Sequence, residues 1–292
     1  MSDILILKLG ATGDVVRTTP LLKQLAGDCS WVTAAKNLPL LKGLTQTLRS
    51  VAWEDRMAVC DREYDLVINL EDTADVAAFL GRLQYRKLFG ARAAAGVMGY
   101  TEDARGWFDL SLISRFGPVA ADKLKLENRR TYQDLIFSGL GLEFKGEPYL
   151  LPAPARTELR GDVAIAPKAG HVWPMKNWAY YGELRAALEA RGLVVNELPE
   201  RASLLEHLGD VKNHRCLVSG DSLPMHLALG VGTRCVSLFS CTAPWEIYSY
   251  GLQRQITSPL LAEFFFKRGL DQRAVTAIKL ETVLSAVLEQ LR

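Results

Sequence analysis

Three stretches of this sequence place chemically active side chains at fixed spacing. Gly10-Ala-Thr12-Gly13-Asp14 follows a short apolar run and opens a helical pattern. Glycines let a backbone approach a ligand, a helix start offers free N–H groups, and a carboxylate there can either stabilise the helix end or accept a proton. Between Ala166 and Trp178, one loop holds Lys168, Gly170, His171 and Lys176. Two cations, an imidazole and a glycine near a helix start can neutralise a diphosphate; the other reading is a solvated loop with Trp173 and Trp178 packed beneath it. The third stretch, Cys216 to Phe239, brings Asp221 and Ser222 from an apolar strand to a helix start, with Pro224 suited to the first turn and His226 following. A capping Asp-Ser pair and a core histidine explain these residues singly, but not their company with the other two sites.

Several chemistries are disfavoured by spacing. The glycines read G-x-x-G rather than G-x-G-x-x-G, and Val32-Thr-Ala-Ala-Lys36 holds no acid for a ribose, which argues against a nicotinamide dehydrogenase. The histidines (His171, His207, His214, His226) show no metal spacing and no D-x-D pair is present, so no metal and no cofactor is expected. Cys29, Cys60, Cys216, Cys235 and Cys241 include no CxxC pair, which fits free thiols in a reducing cytoplasm. The 292 residues carry a net charge of +2, and residues 1–150 hold 19 basic and 19 acidic side chains, so neither half has the basic field of a nucleic-acid binder. The opening MSDILILKLG reads as a first strand, not a leader, and no apolar run reaches spanning length, so membrane contact is expected to be peripheral at most.

The elements that must hold these residues alternate. Ile4–Leu9 is an apolar run broken only by Lys8, the pattern of a buried parallel strand. Strands follow at Ser30–Ala34 and Asp65–Leu70, with helices over Asp75–Leu83 and about Leu126–Gly139. The proline-containing stretch Leu151-Pro-Ala-Pro-Ala-Arg-Thr157 is the linker candidate, dividing the chain into residues 1–153 and 154–292. Beyond it come strands at Val163–Ala166, Leu193–Val195, Cys216–Ser219 and Cys235–Phe239, and helices at Ala179–Ala190, Pro224–Leu229 and Leu280–Leu291. Two α/β units in succession would face each other across a cleft, with ligands at the carboxyl ends of their strands.

The run ILILKLGATGDVVRTTPLLKQL resembles the opening of the family 9 glycosyltransferases, the bacterial heptosyltransferases of lipopolysaccharide core assembly. GDSLPMHLALGVGTRCVSLF, followed by Thr242, Pro244 and Tyr250-Gly251, is similar to that family's D-T-G-x-x-H-x-A-A-x-G-x-P stretch and its sequel, and Lys176-Asn-Trp178 matches its lysine-x-tryptophan element. The resemblance implies the GT-B fold, two Rossmann-like domains with the acceptor on the N-terminal one and the nucleotide sugar on the C-terminal one. It implies inverting, metal-independent transfer, with ADP-heptose or a related nucleotide sugar as donor and a lipid-linked or surface-glycan saccharide as acceptor. Asp14 is then the base on a loop formed by Gly10, Thr12 and Gly13. Lys168, His171, Lys176, Asp221, Ser222, His226 and Thr242 make up the donor side.

Two departures bear on donor and activity. Leu223 replaces the family glycine after D-T, and Phe239-Ser240-Cys-Thr242 replaces F-G-x-T. The segment between Leu193 and Asp221 looks short for the strand, turn and helix it must supply. A nucleotide-sugar epimerase on the same fold, or a degenerate member that binds without turnover, are the alternatives. Arg82, Arg86, Lys87 and Arg92, and Lys123, Lys125, Arg129 and Arg130, form two basic groups that are either solvated faces or contacts to an anionic acceptor or the inner membrane surface. Phe264-Phe-Phe266 reads as core or interdomain packing.

Overall fold

The computed structural model describes residues 2–170 and 172–292. The chain divides into two compact units, one running to Pro152 and the other from Ala153 to Arg292.

The N-terminal unit is built on a six-stranded sheet ordered β3-β2-β1-β4-β5-β6, with β1 Asp3–Leu7, β2 Asp28–Thr33, β3 Leu48–Ala52, β4 Glu63–Asn69, β5 Gln84–Ala94 and β6 Val97–Tyr100. Only the β5–β6 pair is antiparallel. Central β1 is buried on both faces, Ile4 and Ile6 toward one cluster of side chains and Leu5 and Leu7 toward the other. That explains its unbroken apolar run. The strand stops at Leu7, so Lys8 and Leu9 belong to its carboxyl edge.

The single helix expected near Leu126–Gly139 is two helices, Pro118–Glu127 and Tyr132–Gly139. Thr131 restarts the second: its hydroxyl accepts from Asp134 N (3.1 Å) and the Asp134 carboxylate accepts from Thr131 N (3.0 Å). This reciprocal cap satisfies two donors that the new helix start would otherwise leave unpaired.

The C-terminal unit carries five parallel strands ordered β11-β10-β9-β7-β8: β7 Gly161–Ala166, β8 Val195–Glu197, β9 His214–Gly220, β10 Arg234–Phe239 and β11 Gln253–Thr257. The stretch that looked short holds its full complement, since helix Leu204–Lys212 joins β8 to β9. Gly209 lets that helix lie against the linker, because a Cβ there would meet Ala155 O at 2.2 Å. Helix Leu223–Val231 follows β9 and ends at Gly232 in the left-handed region (φ 76°).

Phe264 is buried with Met175, Cys241, Ala274 and Val275, and Phe265 is buried beside it, so these two rings of the aromatic run pack within this unit, while Phe266 is half-buried. All five cysteines are free. The basic groups of the N-terminal unit are laced with acids: Arg86 pairs with Glu63 and Asp65, Lys87 with Asp103, and Lys123 with Glu127. No helix among the described residues is long and apolar enough to cross a membrane.

Candidate functional site

In the N-terminal unit the chain leaves β1, passes Gly10 and enters helix Thr12–Thr18. Asp14 is the third residue of that helix, its N–H bonded to Ala11 O (2.9 Å). No side chain caps this helix start. The Asp14 carboxylate is ion-paired instead: Arg17 holds Oδ1 at 2.8 Å, and Lys8 Nζ stands 3.9 Å from Oδ2. Its side chain remains 32% exposed, against 7% for Lys8, so the acid faces outward with its cations behind it. Gly10 lies beside open space, and Gly13 is buried. Thr12 turns inward, its hydroxyl donating to Asn37 Oδ1 (2.8 Å), while Asn37 Nδ2 donates to Leu9 O (2.8 Å).

Behind Asp14, Glu71 just past β4 accepts three bonds on one oxygen, from Leu9 N (2.7 Å), Lys8 Nζ (2.9 Å) and Gly10 N (3.3 Å). Burial alone would pull the Lys8 ammonium down, but the Asp14 and Glu71 carboxylates outweigh it and hold its pKa above the ordinary value. The Arg17 guanidinium lies 4.0 Å from the Tyr132 ring centre. The Tyr132 hydroxyl shares a 2.7 Å hydrogen bond with Thr18. Burial pushes that phenol up, against the pull of Lys8 and Arg17.

In the C-terminal unit the residues after β7 and β9 meet. Lys176 Nζ donates to Asp221 O (2.7 Å) and to Asp221 Oδ2 (2.8 Å), with the lysine 8% exposed. Two of its three donors are thereby engaged. Gly220 permits the approach, since a Cβ there would lie 2.9 Å from Lys176 O. Trp178 anchors the turn from below, its indole N–H bonded to Ile278 O (2.8 Å). Burial raises the Asp221 carboxyl. Lys176, with its charge and its hydrogen bond, and His226 overcome that effect and hold it well below the usual carboxylate range. Ser222 occupies the N-cap of helix Leu223–Val231 without a side-chain cap bond, its hydroxyl reaching back to Gly220 O (3.3 Å). Capping therefore accounts for neither Asp221 nor Ser222.

Lys168 parts company with Lys176. It is exposed and lines an open cavity of about 680 Å³ with Glu197, Arg201, His207, Leu223 and Pro224, off the carboxyl ends of β7 and β8. Arg201 grips the fully buried Asp210 at 2.7 and 3.1 Å, so the helix after β8 is tied to the cavity wall. Burial, reinforced by Arg201 and opposed by Asp210, holds the His207 imidazole below its ordinary value. His171 lies outside the described residues. No group of three metal-ligating side chains occurs among those described.

Of the sequence candidates, Asp14 lies with Lys8 and Arg17, and Lys176, His226 and Thr242 lie near Asp221. Glu71, Asn37, Arg201 and His207, which brace or line the same regions, were not singled out from the sequence. One signal was present for Glu71: a lysine in the apolar run of a central strand needs a buried anion beside it.

By sequence, no protein-family profile and no curated protein matches the chain. Solved structures do match it in three dimensions. Heptosyltransferase WaaC of E. coli with ADP superposes at TM-score 0.63, with 16% identity and 99% of both chains covered. A family 9 glycosyl transferase from Veillonella parvula gives 0.66 at 13% identity, covering 99% of this chain and 97% of its own. E. coli ADP-heptose lipopolysaccharide heptosyltransferase II gives 0.62 at 16% identity, covering 100% and 98%. The chain has the GT-B fold of these glycosyltransferases over its whole length.

Proposed function

We propose that this protein is a glycosyltransferase that moves a sugar, heptose or a close relative, from a nucleotide-sugar donor such as ADP-heptose to a saccharide acceptor of lipopolysaccharide or another surface glycan. The observation that carries the reading is the pair of charged clusters, each at the carboxyl edge of one of two sheets in a chain with the fold of the heptosyltransferases. The donor belongs to the C-terminal unit. There the cavity off β7 and β8, with Lys168 on its rim and the start of helix Leu223–Val231 beside it, suits a nucleoside diphosphate. His226, Ser222 and Thr242 gather around the Lys176–Asp221 pair, which shapes the neighbouring edge.

The acceptor belongs to the N-terminal unit, where Asp14 is the proton acceptor. In a direct displacement with inversion, the acceptor oxygen bonds to the anomeric carbon as the carbon–diphosphate bond breaks. The hydroxyl proton passes to Asp14, and the electron pair leaves with the nucleoside diphosphate, where cations stabilise it. Arg17 and Lys8 favour the anionic form of Asp14, so proton transfer is expected late, as the new bond forms. No metal takes part on this reading.

The test has two arms. A panel of nucleoside diphosphates is screened by thermal shift, because a ligand that binds only the native state raises the melting temperature. Donor turnover is then measured with and without saccharide acceptors, after exhaustive chelation. Product that requires an acceptor supports the transferase. A rearranged sugar from donor alone identifies an epimerase, and binding without turnover identifies a nucleotide-binding protein that does no chemistry.

A further inference from the structure

The charge balance around Asp14 assigns a role to a residue that no motif marks, and it rests on the reading of Asp14 as proton acceptor. Five titratable or charged groups converge there: Lys8 from the edge of β1, Asp14 and Arg17 from helix Thr12–Thr18, Glu71 from the end of β4, and Tyr132 from helix Tyr132–Gly139. With the phenol protonated, two cations face two anions. A carboxylate that faced both cations alone would be strongly held in its charged form and would be a poor proton acceptor. The geometry avoids this. Lys8 Nζ lies 2.9 Å from Glu71 Oε1 but 3.9 Å from Asp14 Oδ2, beyond hydrogen-bonding distance.

We infer that Glu71 is a positioning residue for Asp14: with one carboxylate oxygen it holds both Lys8 and the Leu9-Gly10 backbone, keeps the ammonium off Asp14, and leaves that acid able to take a proton. The negative charge of Glu71 acts in the same direction, because a like charge nearby disfavours ionisation of Asp14. Lys8 is only 6% exposed, and if Glu71 loses its charge the Asp14 carboxylate, 3.9 Å away, is the anion left beside it.

Carbon-13 titration of the Asp14 carboxyl tests this directly, with the signal identified by its loss in Asp14→Asn. Glu71→Gln removes the charge while keeping the shape and a carbonyl oxygen for the Leu9 and Gly10 N–H groups. The Asp14 midpoint should fall by on the order of one pH unit, and the acidic limb of kcat/KM should move with it. Adding Lys8→Met to Glu71→Gln should bring the midpoint back toward that of the unaltered protein, which a merely structural role for Glu71 would not produce. Lys8→Met alone should raise the midpoint, and it serves if Glu71→Gln does not fold. A midpoint unmoved in Glu71→Gln, or unmoved in Lys8→Met, overturns the role of Glu71. Undiminished turnover in Asp14→Asn strikes the proton-acceptor reading instead.

Discussion

The two units each set an aspartate against a lysine at the carboxyl edge of a parallel sheet, and they do so in opposite senses. In the N-terminal unit the lysine is buried and the aspartate is a third exposed, with their charged atoms 3.9 Å apart. In the C-terminal unit the lysine closes on the aspartate at 2.8 Å, and both are largely buried. An acid presented to solvent with its counter-charges behind it can exchange a proton with a ligand. An acid locked onto a buried ammonium cannot do so easily, because protonating it strands a charge. Asp14 is therefore suited to chemistry and Asp221 to holding the shape of its sheet edge. The same pair of residue types serves two purposes, according to which member is turned inward.

Exchanging the members of each pair breaks this comparison most sharply. Asp14→Asn should lower turnover by about 10²–10⁴-fold, the usual worth of a positioned base, while leaving the melting temperature and nucleotide binding nearly unchanged. Steady-state rates beside a thermal melt check it, and near-normal turnover would reduce Asp14 to an ion-pair partner of Arg17.

Lys176→Ala should show the reverse emphasis. Stranding the Asp221 carboxylate is expected to cost about 3–5 kcal/mol of stability, read by urea unfolding, and Lys176→Met with Asp221→Leu should recover much of the loss. In the variant that remains folded, nucleoside diphosphate binding should weaken by roughly 1.5–3 kcal/mol if the third lysine donor meets phosphate. Unchanged affinity by calorimetry removes Lys176 from the donor site.

The pH dependence sharpens the contrast. Asp221 is held below its unfolded value, so its stabilisation is complete from neutral pH down to about pH 4 and is lost as pH falls further. Urea unfolding between pH 7 and 2.5 should therefore show an acid-side decline that is shallower in Asp221→Asn. Equal slopes in both proteins would mean that the pair contributes nothing specific.

The smallest effect expected is at Leu223, which lines the cavity where the resembled family has glycine. Leu223→Gly should cost no more than about 1 kcal/mol as a residue of the first helical turn. It should tighten nucleoside diphosphate binding several-fold by opening the helix start to the ligand. Unchanged binding would place the diphosphate away from Leu223.

Local sequence determined a good deal of this protein. Apolar runs at Ile4–Leu7, Val163–Ala166, Cys216–Ser219 and Cys235–Phe239 announced the buried strands, because a strand covered on both faces has no polar side to show. The residues just beyond those strands, Asp14 and Asp221 among them, were legible as site candidates, since parallel sheets bring such positions to one edge. The edge strands β3, β6 and β11, and β5 beside β6, escaped notice, being partly solvated and mixed in composition. The restart at Thr131 carried a readable T-x-x-D cap that the helical periodicity on either side concealed.

What only the tertiary structure decided was who pairs with whom. Glu71 lies 63 residues from Lys8, and Asp221 lies 45 from Lys176. No periodicity along the chain encodes a contact made across neighbouring strands. That pairing, through the depth at which each charge is buried, makes one aspartate available to a ligand and commits the other to the fold.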